Sequence, residues 1–150
     1  LTRIPAPIRT QISIAELFTD LKKLFPEEDF QFEVPSPELK LNVDRTQIEQ
    51  ILINLLKNAR EACSRKSDKK IQVKARKLSA GNTTLTISDN GEGILPDVLD
   101  KIFVPFFTTK TSGSGIGLSL CKQIMTLHEG SINVKSEVGK GSSFILTFPK

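Results

Sequence analysis

An apolar stripe between residues 44 and 63 constrains this chain more than any other feature. Ile48, Ile51, Leu52, Leu55, Leu56, Ala59 and Ala62 recur at steps of three and four, the period of an α-helix with one buried face. Asp44 stands where such a helix needs an N-cap acceptor. A stripe this wide has to be covered by a second apolar layer. The chain offers short alternating segments for it: Phe30-Phe32-Val34, Leu39-Leu41-Val43, Ile71-Val73-Ala75, Leu85-Ile87, Ile132-Val134 and Phe144-Leu146-Phe148. Alternation of this kind predicts strands. Pro35-Ser36-Pro37 joins the first two, Gly81-Asn82 predicts a hairpin turn, and Gly139 with Gly141 separates the last two. Ile12–Ile14 is a further short strand. Ala15–Phe25, with Leu17, Leu21 and Leu24 in phase, predicts a helix that Pro26 ends. Another helix runs from about Ile116 to Leu127, with Gly130 just beyond its end. Strands and helices mix without a regular βαβ alternation. The expected fold class is therefore α+β, a two-layer α/β sandwich. Its mixed, mostly antiparallel sheet is covered on one face by about three helices.

Composition narrows the function classes. Hydrophobic residues make up 38% and charged residues 25% of 150 residues, which suits one globular domain. No apolar run reaches membrane-spanning length. The net charge is +4, and part of it lies in Arg65, Lys66, Lys69 and Lys70, read as a solvated loop. There is no Trp or Tyr to stack on bases, so no nucleic acid is expected as a partner. Cys63 and Cys121 fall within helical patterns without metal-ligand spacing, and read as free thiols.

Chemistry concentrates in four places. Asn54 and Asn58 stand four residues apart on one edge of the apolar stripe, where an amide oxygen can ligate a hard cation. They also read as two locally bonded helix-surface amides. Asp89-Asn90-Gly91-Glu92-Gly93-Ile94 follows a strand, so its carboxylate can accept from an exocyclic amine while the glycines admit a close ligand. A plain Asp-Gly turn has the same letters. Gly113-Ser114-Gly115-Ile116-Gly117-Leu118 precedes a helix, where backbone N–H groups form an anion site. A flexible hinge is the bland counterpart. Phe103-Val104-Pro105-Phe106-Phe107 lies between these motifs, inside a polar stretch of unusual length, and predicts the anchor of a lid. Thr108, Thr109 and Lys110 follow it with hydroxyls and a cation.

In this order the motifs resemble the catalytic and ATP-binding domain of bacterial two-component sensor histidine kinases. That family shares its superfamily with DNA gyrase B, the ninety-kilodalton heat-shock chaperone and the MutL proteins. Residues 54–59 resemble its N box, 89–94 its first glycine box, 103–110 its F box and 113–118 its second glycine box. Gly139-x-Gly141-Ser142-Ser143-Phe144 with Pro149 resembles the closing hairpin, so the likeness covers roughly residues 12–149.

The resemblance implies a Bergerat-type ATP-binding fold with ATP and magnesium (Mg2+) as cofactors. It implies that Asn58 ligates the metal and that Asn54 supports the phosphate side. By the same resemblance Asp89 would read the adenine amine, Gly91, Gly93 and Ile94 would shape the adenine wall, and Ser142 would hold a water beside Asp89. Gly113, Gly115, Gly117 and Leu118 would bring the lid and a helix terminus to the phosphates, and Lys110 would reach the γ-phosphate. Where many members carry a base three positions after the metal asparagine, this chain has Glu61. The implied partners are the dimerisation and phosphoacceptor domain of the same kinase, a response regulator receiver domain, and a second copy in a homodimeric parent. Residues 1–11 are expected to be a linker from that dimerisation domain and 12–150 the ATP-binding domain. The expected location is cytoplasmic, with the parent anchored in the inner membrane. His128-Glu129 lacks the setting of an acceptor histidine and reads as structural or surface. The alternative is a hydrolytic ATPase or a non-catalytic nucleotide-binding module of the same superfamily. Hydrolytic members place a glutamate base where this chain has Asn54, and an amide cannot take a proton from water.

Overall fold

The computed structural model describes residues 3–107 and 117–150. In chain order its elements are β1 (Thr10–Ser13), α1 (Ile14–Leu24), β2 (Gln31–Glu33), β3 (Lys40–Val43), α2 (Arg45–Ala62), β4 (Ile71–Lys77), β5 (Thr83–Asp89), α3 (Pro96–Leu99), α4 (Gly117–Leu127), β6 (Ser131–Glu137) and β7 (Gly141–Phe148). The amphipathic stripe is α2. Asp44 caps it by accepting from the Gln47 N–H at 3.1 Å, and Ile48, Ile51, Leu52, Leu55, Leu56 and Ala59 are buried along it.

A five-stranded sheet in the order β2-β4-β5-β7-β6 receives this face. β2 and β4 are parallel, and the other three pairings are antiparallel. Side chains alternate as the pattern requires. Val73, Ala75, Leu85, Ile87, Phe144 and Leu146 are buried, while Gln72, Lys74, Thr86, Ser143 and Ile145 on the opposite face are partly exposed. α2 packs on β4, β5 and β7, α4 packs on α2 and β6, and α1 packs on α2. This is the α+β two-layer sandwich that the sequence predicts. No described helix is long and apolar enough to cross a membrane.

Local differences have identifiable causes. The first predicted strand stops at Ser13 because its hydroxyl accepts from the Glu16 N–H at 3.1 Å, which makes Ile14 the first residue of α1. The strands flanking Pro35-Ser36-Pro37 separate into different sheets. β3 pairs with β1, whereas Phe32 of β2 packs on Phe18 of α1 at 5.2 Å and so joins β2 to the edge of the main sheet. The stretch after Gly93 contains the one-turn helix α3, which begins on Pro96, the residue best suited to a first helical position. At the end of α4 it is Glu129, not glycine, that takes the left-handed conformation (φ 60°). Gly130 is required for another reason: a Cβ there would lie 2.3 Å from the Thr147 carbonyl oxygen.

The helix–sheet seam makes a direct prediction. Leu55 is 1% exposed at the centre of the seam, whereas Leu24 at the end of α1 is 53% exposed. Leu55→Ala should destabilise the domain by about 3 kcal/mol, and Leu24→Ala by less than about 1 kcal/mol. Urea unfolding of the two variants checks this difference.

Candidate functional site

The C-terminal end of α2 grips the loop that follows β5. The Ala62 carbonyl accepts from the Glu92 N–H at 3.2 Å. A Cβ on Gly91 would sit 2.5 Å from that same carbonyl oxygen, so only glycine lets the loop lie this close. Gly93 has φ 78°, and a Cβ there would lie 2.4 Å from the Glu137 carbonyl oxygen. The loop is thus held between the last turn of α2 and the β6–β7 turn. The Gly139 N–H donates to the Glu92 carbonyl at 2.9 Å, and the Ile94 N–H donates to the Ser136 hydroxyl at 2.8 Å. Ile94 itself packs on the core. Asn90 serves the scaffold: its Oδ1 accepts from the Lys70 N–H at 2.7 Å, and its Nδ2 donates to the Asp68 carbonyl at 2.9 Å. The basic run of residues 65–70 is partly neutralised by Lys69–Glu28 at 2.7 Å and Lys66–Asp68 at 3.8 Å.

Asp89 is the last residue of β5, in register with Ser142 of β7 and with Ile71 of β4. It follows the alternation of Leu85 and Ile87, so it belongs to the helix-covered face of the sheet. Burial pushes its carboxyl above the usual aspartate range, and backbone donors at Gly91 and Ser142 pull against that shift. The Gly91 N–H bond to Oδ1 is 2.8 Å long. Asp89, Ser136, Gly141 and Ser142 line an open cavity of about 350 Å³. A half-buried carboxylate of this kind offers acceptor lone pairs to a ligand and nothing to donate.

The asparagines mark the other end. Asn58 lies one helical turn before Ala62, and Asn54 one turn before that, both partly buried. Helical rise places Asn54 about 12 Å from Ala62 along the axis. Across from Asn54 stands the start of α4: a Cβ on Gly117 would lie 3.9 Å from the Asn54 carboxamide. Leu118 packs on the core beside it. Asn54 Nδ2 also faces the Cys121 sulfur at 4.0 Å. Burial pushes the Cys121 thiol up to about 12, so it is an inert core group. Burial and then the neighbouring Asp89 charge raise Cys63 as well. Lys110, Gly113 and Gly115 lie outside the described residues, as do Thr108 and Thr109. Of the aromatic segment before them, Ile102 is buried and Phe103 packs on the core under the Lys122 ammonium at 5.7 Å. Phe106 is exposed and adopts φ 66°. Anchoring therefore falls to Ile102 and Phe103.

Among the described residues no group of three or more His, Cys, Asp or Glu could cage a metal. The Asn58 carboxamide oxygen suits a hard cation that arrives with most of its oxygen ligands, as one bound to a polyphosphate does. His128 is 2% exposed. Its Nε2 accepts from the Asp44 N–H at 3.1 Å, which leaves Nδ1 to donate to the Ile124 carbonyl at 2.9 Å. It ties the end of α4 to the start of α2, a structural role. Ser136 escaped the motif reading. The available signal was that it continues the Ile132-Val134 alternation, which puts a hydroxyl on the helix-covered face.

Comparison with known proteins identifies the family. Residues 43–150 match the family described as histidine kinase-, DNA gyrase B- and HSP90-like ATPase. The chain is 40% identical over 121 residues to the signal transduction histidine-protein kinase AtoS of Escherichia coli (strain K12), a match covering 81% of this chain and 20% of AtoS. It spans about a fifth to a quarter of the length of such curated relatives. The nucleotide-free catalytic domain of histidine kinase ThkA superposes with a TM-score of 0.83 at 36% identity, covering 95% of each chain. ThkA in complex with the response regulator protein TrrA superposes with a TM-score of 0.77 at 32% identity, over 95% of this chain and 42% of that one. A glycine loop clamped to α2, a half-buried aspartate at one end of that helix and paired asparagines further along it are thus found in a chain that belongs to the histidine kinase-, DNA gyrase B- and HSP90-like ATPase family.

Proposed function

We propose that this chain is the ATP-binding catalytic domain of a sensor histidine kinase in two-component signalling. It would pass the γ-phosphoryl group of ATP to a histidine on a separate dimerisation domain. The acceptor imidazole nitrogen attacks phosphorus, the bond to the β–γ bridging oxygen breaks, and ADP leaves. The observation that carries this reading is the spacing along α2. Asp89 and Gly91 stand at its C-terminal end, and Asn58, Asn54 and Gly117 stand further back along about 12 Å, a span suited to a nucleoside triphosphate.

In this reading Asp89 accepts from the adenine amine, Gly91, Gly93 and Ile94 form the adenine wall, and Ser142 holds a water beside Asp89. Asn58 ligates magnesium, which supplies charge neutralisation at the phosphates, and Asn54 orients the phosphate side. Gly117 and Leu118 set the start of α4 against the phosphates. Lys110, Gly113 and Gly115 are assigned on their motif alone. Catalysis in such a site is positioning and charge stabilisation, and no group at Asn54 can act as a base toward water. That chemistry favours transfer to a protein acceptor over hydrolysis. His128 is not the acceptor: both ring nitrogens are committed inside the fold. The remaining partners follow from the kinase reading: the phosphoacceptor domain, a receiver domain and a second copy of the parent. The domain works on the cytoplasmic side, linked through residues 1–11.

Two measurements test the assignment. Asn58→Ala should reduce ATP affinity at least about tenfold in the presence of magnesium, with little change in its absence. Calorimetry with and without the metal decides; equal affinities of variant and wild type in magnesium contradict the metal role. Asp89→Asn should weaken ATP binding and narrow its preference over GTP, because an amide can donate to the guanine carbonyl. The loss of one charge-assisted contact predicts roughly ten- to a hundredfold weaker ATP binding. The sign with pH follows from burial. The carboxyl is raised, so ATP affinity falls on acidification at a higher pH than for an ordinary aspartate, and Asp89→Asn removes that dependence.

A further inference from the structure

One hydroxyl behind the Asp89 pocket is shared among three partners. Ser136 Oγ accepts from the Ile94 N–H at 2.8 Å, lies 3.1 Å from the Gly141 carbonyl oxygen and 2.8 Å from Ser142 Oγ. A serine hydroxyl has one proton and two lone pairs. The Ile94 amide can only donate, so it occupies one lone pair. The Gly141 carbonyl can only accept, so it takes the Ser136 proton. All three contacts are satisfied together only if Ser142 donates its own proton into the remaining Ser136 lone pair. Ser142 then presents lone pairs alone to the cavity that it lines with Asp89. Its backbone N–H is already directed at Asp89.

We propose that Ser136 is a specificity-determining residue: by drawing in the Ser142 proton it makes Ser142 an acceptor beside Asp89, so that the water held there donates to both and shows the base lone pairs alone, which selects an adenine amine over a guanine carbonyl. The inference deepens the ATP reading above and rests on it. Ser136 itself acts at one remove, as a positioning residue. Without it, the Ser142 hydroxyl is free to rotate and donate, and a guanine oxygen gains a partner where it met only lone pairs. The Ile94 N–H loses an acceptor at the same time, which loosens the glycine loop for either nucleotide. That second effect is non-selective, so only a change in the ATP-to-GTP ratio reports the proton direction.

The experiment is competition binding of ATP and GTP to the whole chain as wild type, Ser136→Ala, Ser142→Ala and the double variant, with thermal unfolding as a check on folding. Ser136→Ala should narrow the ATP-to-GTP ratio by roughly five- to tenfold, the factor for one neutral hydrogen bond. Ser142→Ala should narrow it as well, and the double variant no further than Ser142→Ala alone, because Ser136 works through the Ser142 proton. Ser136→Thr, which keeps the hydroxyl, should restore the wild-type ratio. If Ser136→Ala weakens both nucleotides by one factor, or still narrows the ratio when Ser142 is already alanine, the proposal is overturned. Should Ser136→Ala not fold, an unchanged ratio in Ser142→Ala overturns it alone. Failure of the ATP reading looks different: wild type then shows no preference, and the proposal falls with it.

Discussion

The contact between Gly91 and the last turn of α2 sets the geometry of the whole site. It joins the two layers at one point, through the Ala62 carbonyl that accepts from Glu92 and leaves no room for a Cβ at Gly91. Because α2 is rigidly seated on the sheet by Ile51, Leu52, Leu55 and Leu56, every group along its exposed edge inherits that reference point. Helical rise then decides how far Asn58 and Asn54 stand from Asp89. A shift of α2 by one turn would move both amides about 5.4 Å along the nucleotide span and break the match. The apolar seam is thus a ruler as well as a source of stability.

Burial of Asp89 illustrates how the sheet contributes chemistry. β5 ends on the covered face, so its terminal residue belongs under the helix layer instead of in water. The cost of placing a carboxylate there is offset by backbone donors at Gly91 and Ser142, which hold it as an acceptor. The far end of the helix layer is fastened separately. The buried His128 ring spans α4 and α2, Arg9 donates to the Leu127 carbonyl at 3.1 Å, and the Ile8 N–H donates to the Asp44 carboxylate at 2.9 Å. The segment leading into β1 is therefore fixed to the same two helices that carry Asn54 and Gly117.

Much of this was legible in the sequence because it depended on period and on turn chemistry. The α2 stripe, the Asp44 cap and the β4–β5 hairpin follow from spacing alone, and the order of the asparagine and glycine motifs pointed to the family. What escaped depended on tertiary contacts. β2 leaves β3 because two phenylalanines meet across layers, and no local pattern around Pro35-Ser36-Pro37 announces that. Glu129 takes a glycine-like conformation while Gly130 answers to Thr147 on a distant strand. Ser136 was invisible as chemistry because its three partners lie in two other segments of the chain. Only its place in an alternation marked it as facing inward.

A crystal structure of this chain with magnesium and a non-hydrolysable ATP analogue tests the account most directly. The adenine amine should lie within about 3 Å of the Asp89 carboxylate, with the metal on the Asn58 carboxamide oxygen. An analogue bound elsewhere, or bound along α2 in the reverse direction with its phosphates at Asp89, would contradict it.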